Sequence, residues 1–313
     1  MGRALGARAA LALAYETTYG TAPASGFRSM PFASQSLRDD QPLLESELLG
    51  FGNDPAAPVS DMISVDGTVR VPVDTDMIGY WLKLLLGQPT TTGTTPKTHT
   101  FNSGGFARPT ASIEVQHPDV PAYTMFSGIG VESGMFEFAS SGLLTCEMKL
   151  IGQKAAAISA TSVAGAVAAA TGSRFGHFNG SIKRNGTALG NIMAAKFTYA
   201  NNLDAVRVIR PDGVIEGLDP TVASLTGELT IRFDETTLLA QAQNGTTCAL
   251  EFGWSTGASS ALSFTVHQVN LARPTREVSG PKGVDLTFQF VASRATSPAR
   301  MLTAVLTNTV AAY

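Results

Sequence analysis

The chain has 313 residues with 22 Lys and Arg against 25 Asp and Glu, a net charge of −3, so no global field draws it to nucleic acid or to an anionic membrane. Two cysteines, Cys146 and Cys248, are too few for a disulfide framework. The length fits two domains of about 155 residues, each able to bury a core, and 31 Gly with many Thr and Ala exclude a helical bundle in favour of strands and turns.

At the N-terminus, the apolar stretch Ala9–Ala14 is too short for a signal peptide and ends at Glu16, and Gly6 stands where a myristoylation motif needs Ser or Thr. No run approaches the roughly eighteen apolar residues of a spanning helix. The expectation is a chain made and kept in the cytosol, opening with an arm over Gly2–Tyr19. Five prolines between Gly20 and Pro58 leave room only for short strands such as Phe32–Leu37.

Ser64–Asp74 (SVDGTVRVPVD) then alternates apolar and polar residues, the pattern of a strand with one buried and one wet face. The pattern returns about 160 positions later as Ser224–Asp234 (SLTGELTIRFD), with Ser, Gly and Asp kept in place. Each copy runs into a predicted helix, Met77–Leu86 stopped by Gly87 and Thr237–Gln243 stopped by Gly245. Asp74, Thr75 or Asp76 suits the first N-cap, and Asp234 or Thr236 the second. A strand–helix unit at matched spacing implies an internal duplication.

Gln88–Pro109 is a Thr/Gly/Pro loop longer than ordinary connections, and its counterpart Gln243–Thr247 is short. Strands are predicted at Ala111–Val115, Tyr123–Phe126, Gly134–Phe138 and Leu144–Ile151. In the second half they fall at Ala195–Tyr199, Ala205–Ile209, Phe264–Leu271 and Val284–Val291, with a last one within Met301–Val310. The second half also ends as the first does, with a loop (Ser279–Gly283 here) leading into an alternating strand. Between the halves, residues 155–172 are Ala, Ser, Thr and Val without charge, a linker that reaches roughly 60 Å when extended. The predicted domains are 1–154 with the N-terminal arm and 173–313 with a C-terminal tail.

Motifs of catalysis are missing from this pattern. His99, His117, His177 and His267 stand at no ligand spacing with each other or with the cysteines. Asp74-Thr75-Asp76 looks like a metal triplet, but a strand-to-helix junction makes capping the better account. Gly128-Ile129-Gly130 misses dinucleotide spacing, and Pro281 breaks the helix that Ser279-x-x-Lys282 would need. Aromatics at 8 % with no basic stripe exclude a base-stacking platform. No enzyme, cofactor or metal is expected; function has to come from shape and assembly.

Three stretches carry a family likeness: Tyr15–Thr21 (YETTYGT), the strand end Val71–Asp74 running on to Trp81–Gly87 (WLKLLLG), and Phe126–Val131 (FSGIGV). Together they resemble the major tail tube proteins of long, non-contractile-tailed bacteriophages. The resemblance implies a mainly β fold, a duplicated tail-tube-type β-sandwich or partial barrel with one flanking helix per half, stacked in rings around a lumen through which DNA leaves the capsid. It implies a virion protein whose partners are itself, the tape measure, tail terminator and distal tail proteins, and double-stranded DNA in transit, with no membrane. Four strands from each of six tube folds give about 24 strands and, at ~4.8 Å per strand and a tilt near 40°, a wall roughly 48 Å across with a bore of about 35–40 Å. Three duplicated chains supply that number, so the expectation is a homotrimer with pseudo-sixfold symmetry rather than a hexamer.

The polar faces of the repeated strands (Thr68, Arg70, Glu228, Thr230, Arg232) and of their hairpin partners (Thr145, Glu147, Lys149, Thr287, Gln289) are the candidate lumen wall. Thr90, Thr91, Thr92, Gly93, Thr94 and Thr95, with the N-terminal arm and the Met301–Tyr313 tail, are candidates for bridging rings. Two other classes share the alternation. An outer-membrane barrel lacks support from a signal peptide or aromatic girdles. A capsid-decorating or adhesin-like sandwich would share the composition without self-stacking.

Overall fold

The computed structural model describes residues 3–50, 53–165, 167, 170, 172–234, 236–275, 280 and 283–313. Parts of the 155–172 linker and of the Ser279–Gly283 loop, including Ser279 and Lys282, lie outside the described residues. The fold is mainly β, with antiparallel sheets and two helices, Ile78–Leu86 and Thr237–Asn244.

One sheet runs through the whole chain. Its strand order is Ser34–Gln35 with Arg38–Asp40, Ser64–Pro72, Thr145–Gly152, the end of Ala122–Phe138, Ile192–Ala200, Ser224–Arg232, Asp285–Ala292 and the end of Ser260–Leu271. With Ser34–Asp40 counted as one strand, four strands come from each half. The alternation puts Val65, Val69 and Val71 in the core on one strand and Leu225, Leu229 and Ile231 on the other. The registers match as well: Gly67 faces Leu150 and Gly227 faces Phe290, while Ser34 faces Arg70 and Ala194 faces Thr230.

A second layer covers the apolar face. On the first half it consists of Arg28–Ser29, Ala10–Tyr15, Ala111–His117, the start of Ala122–Phe138 and Lys154–Ala155. On the second half it consists of Thr187–Ala188, Gly180–Arg184, Cys248–Gly257, the start of Ser260–Leu271, Leu302–Asn308, Lys97–Asn102 and Thr90–Thr92. Lys97–Asn102 thus crosses from the first half into the second half's layer. Phe136 and Phe138 of the first half meet Phe197, Phe252, Phe264 and Trp254 of the second in one aromatic cluster, with Phe136–Phe264 and Phe138–Trp254 centroids both 4.5 Å apart.

Several expectations change at this level. Ala10–Tyr15 is not a free arm: Leu11–Ala14 are buried and the strand pairs with Ala111–Gln116, because a run apolar at every position can fill a strand covered on both faces. The strands expected separately at Tyr123–Phe126 and Gly134–Phe138 are one strand, Ala122–Phe138, which leaves the outer layer and enters the continuous sheet. Gly128, with φ of 68°, lies in this passage. The linker's first residues are pinned. Glu114, 1 % exposed, accepts from Ser162 Oγ, the amides of Val163 and Ala164, and Gln116 Nε2. The C-terminal tail is also held, since Tyr313 is buried, donates its hydroxyl to Asp76 O and packs edge-on against Tyr80 and His99.

Both helices follow their strands as the spacing predicts. Asp74 Oδ1 accepts from the amides of Asp76, Met77 and Ile78, so it caps the first helix as expected of a side-chain oxygen there. Burial still holds its carboxyl above the usual range against those three amides. The second helix has Thr236 at its N-cap, without a side-chain cap bond, and Gly245 at its C-cap in the left-handed conformation. The first helix is apolar all round, with Lys83 alone half-buried and its Nζ 4.2 Å over the Tyr15 ring.

Candidate functional site

The continuous sheet has a polar face opposite its buried one. Every one of the ten residues predicted from the repeated strands and their hairpin partners stands on it: Thr68, Arg70, Thr145, Glu147, Lys149, Glu228, Thr230, Arg232, Thr287 and Gln289 are exposed or half-buried, each with a buried residue next to it in the strand. Alternation makes this unavoidable once the other face is core. Arg38, Asp66, Glu137, Lys196 and Asp285 belong to the same face and were not among the ten: Arg38, Glu137 and Lys196 come from strands outside the repeated ones and their hairpin partners, whereas Asp66 and Asp285 stand on those strands and continue the same polar alternation.

Three ion pairs cross between strands on this face. Lys196 Nζ lies 2.8 Å from Glu228 Oε1, Arg232 Nε 3.0 Å from Asp285 Oδ1, and Arg38 Nε 3.3 Å from Asp66 Oδ1. Arg70 stands opposite Glu147 in register and donates to Thr145 Oγ1. Gln289 Nε2 donates to the far oxygen of Glu228, and Thr230 and Thr287 share a hydroxyl bond. Glu228 is held below the usual carboxylate range, first by its bond from Lys196 and then by that from Gln289. The five cations Arg38, Arg70, Lys149, Lys196 and Arg232 stand with six anions, Asp40, Asp66, Glu137, Glu147, Glu228 and Asp285. Such exposed pairs add little stability, but they leave few cations free to grip a polyanion.

Thr90–Thr95 is elsewhere. Thr90–Thr92 pairs with Thr98–Thr100 as a hairpin at the margin of the outer layer, and Gly93 turns it with φ of 85°. Two further projections come from the continuous sheet. Leu43–Leu44 pairs with Val59–Ser60, and Leu203–Val206 pairs with Gly217–Pro220, each following the matching strand of its half. They carry exposed apolar pairs at corresponding positions, Leu48 and Leu49 (68 % and 96 % exposed) and Val208 and Ile209 (37 % and 107 %). The sequence held that signal, two apolar pairs in Pro- and Gly-rich surroundings at the repeat distance.

The described residues hold no cluster of three or more His, Cys, Asp or Glu able to bind a metal. Burial pushes the Cys146 thiol far up, with Asp74 adding to the effect, and raises Cys248 to about 11, so both behave as small hydrophobes. Among the described residues, no helix is long and apolar enough to cross a membrane. The surface is therefore a wall of mixed charge on a sheet whose Ser34–Asp40 strand has one partner strand among the described residues.

A search of curated proteins returned no match. The sequence matches the family described as "Phage tail tube protein" over residues 6–292, which takes in both helices and every strand of the continuous sheet. With a match over nearly its whole length, the chain belongs to the phage tail tube protein family, structural proteins of the virion tail.

Proposed function

We propose that three copies of this chain close into a ring whose inner wall is the polar face of the continuous sheet, and that rings stack into the tube of a long, non-contractile tail. The observation that carries this reading is the strand count and register of that sheet: four strands from each half, paired alike in both. An internal duplication accounts for that match, and two equal steps per chain make a trimer the equivalent of six single tube units. Three such sheets give about 24 strands and a bore of about 35–40 Å, wider than a DNA duplex.

The ten lumen-facing residues then form a wall of mixed charge in which Arg232 is ion-paired and Arg70 is bonded to Thr145, which suits DNA in rapid transit during ejection into the host. Chains made in the bacterial cytoplasm assemble there with tape measure, terminator and distal tail proteins. Contacts between rings fall to exposed projections: the Thr90–Thr95 hairpin and the two hairpins tipped by Leu48–Leu49 and Val208–Ile209. Electron cryo-microscopy of tubes grown from purified chain tests the ring directly. Threefold rings with six similar lobes are expected; six copies of this chain per ring would overturn the trimer.

A further inference from the structure

A projecting hairpin precedes each repeated strand, and the two hairpins share a register. Leu43 faces Ser60 and Leu203 faces Pro220, at the spacing of 160 positions that also separates Ser64 from Ser224. The returning arm of the second hairpin is folded down onto the rim of the first half. Gly213 O accepts from the Ile63 amide at 2.8 Å, and Ile215 O accepts from Gln153 Nε2 at 2.9 Å. Val214 and Ile215 are buried there.

The same rim of the second half is a cavity. Val222 and Ala223 are the counterparts of Met62 and Ile63 at the repeat spacing. The registers Gly67–Leu150 and Gly227–Phe290 make Ser293 the counterpart of Gln153. All three line one cavity of about 970 Å³, and Val222 is 86 % exposed. Arg108, Arg294 and Arg300 line it as well, and none of them enters an ion pair among the described residues. Arg108 donates to Asn201 Oδ1 and Leu86 O, and Arg294 to Ala299 O, all uncharged acceptors. By the repeat, the stretch that would cover this cavity is Asn53–Pro55, the counterpart of Gly213–Ile215. On the first half's own hairpin Asn53, Asp54 and Pro55 are exposed, and Asp54 enters no ion pair among the described residues.

We propose that this cavity is a docking site for Asn53–Pro55 of a second copy standing beside it, a contact that rests on the ring proposed above. The Ala223 amide donates to Asn53 O as the Ile63 amide donates to Gly213 O inside one chain. Asp54 takes the place of the apolar Val214 and sets its carboxylate among Arg108, Arg294 and Arg300. Those three cations have no carboxylate partner of their own, so the acidic arm fits them in charge as well as in position.

Cross-linking of assembled full-length chain tests it. Asn53→Cys with Ala223→Cys puts one thiol on each side of the contact, and the native Cys146 and Cys248 are buried. On a denaturing, non-reducing gel, oxidised tubes are expected to give a ladder that stops at the copy number of one ring, three, with none from either single variant. Asp54→Arg is expected to lower tube yield by about tenfold, and adding Arg294→Asp and Arg300→Asp to the same chain to restore it. Tubes of the double-cysteine chain that stay uncross-linked, or a ladder running on past one ring, overturn the docking and leave the ring intact. A ladder that stops at six keeps the docking and overturns the trimer. If the cysteine pair blocks assembly, the reversal decides: a normal yield from Asp54→Arg, or no rescue, overturns the docking. Wild-type chain that forms no rings overturns the ring reading and the docking with it.

Discussion

At Gly67 a methyl group has nowhere to go: a Cβ there would strike the backbone of Ser36 and Leu37, where the neighbouring strand passes close. Gly227 meets the same obstacle in the second half, with Lys196 O and the Phe290 ring in the way. The one glycine kept in both repeated strands is thus explained by the same close approach. Gly227→Ala is expected to cost about 1–3 kcal/mol by overpacking, read as a lower urea midpoint; an unchanged midpoint would remove this account. His99 carries a different residue-scale consequence. It is buried, with Nδ1 2.8 Å from Thr91 Oγ1 and Nε2 near Asn308 Oδ1 and Val310 O, and burial lowers its pKa below 6.5. His177 and His267 shift the same way. The unfolded chain then binds protons that the folded chain refuses, so stability is whole above about pH 6.5 and falls as pH drops below it. Urea midpoints should fall between about pH 7 and pH 5, with His99→Phe removing part of the slope. A slope untouched by that change would exclude His99 as a contributor.

The element that matters most to cohesion is Ile192–Ala200, the central strand between the halves. Phe197 lies on its buried side, 5.2 Å from the ring of Phe136 and 5.3 Å from that of Phe252. Phe197→Ala is expected to cost about 3–5 kcal/mol, because the cavity opens in a core that both halves share. Scanning calorimetry should still show one transition, since Lys97–Asn102 and the aromatic cluster tie the halves together; two separated transitions would contradict that coupling. Alternation made most strands of the continuous sheet readable in the sequence. Cys248–Gly257 was not among the predicted strands although its alternation was present, with Cys248, Leu250, Phe252 and Trp254 buried in turn. Gly128, Gly130 and Gly134 read as breaks in one long strand, whereas the structure uses that segment to pass between sheets.

For the whole molecule, assembly along the tube axis is the open physical question. Leu48–Leu49 and Val208–Ile209 expose large apolar side chains that a solitary soluble chain gains nothing by presenting together. Replacing Leu48, Leu49, Val208 and Ile209 by Ser is expected to leave rings intact and to stop stacking, seen as single rings by negative-stain microscopy. Deleting Thr90–Thr95 tests the other candidate bridge by the same measurement. Tubes of normal length from either variant would remove that projection from the stacking contact.

The sequence by itself determined the repeat, the mainly β class, the helix after each repeated strand and the ten residues that share a polar face, because all of these follow from local periodicity and from glycine and cap chemistry. Only the tertiary structure decided that the two halves share one sheet and one core, that the N-terminal run is a buried strand, and that cations on the polar face meet anions from neighbouring strands. Those features depend on which strands become neighbours, and pairing between residues far apart in sequence leaves little local trace.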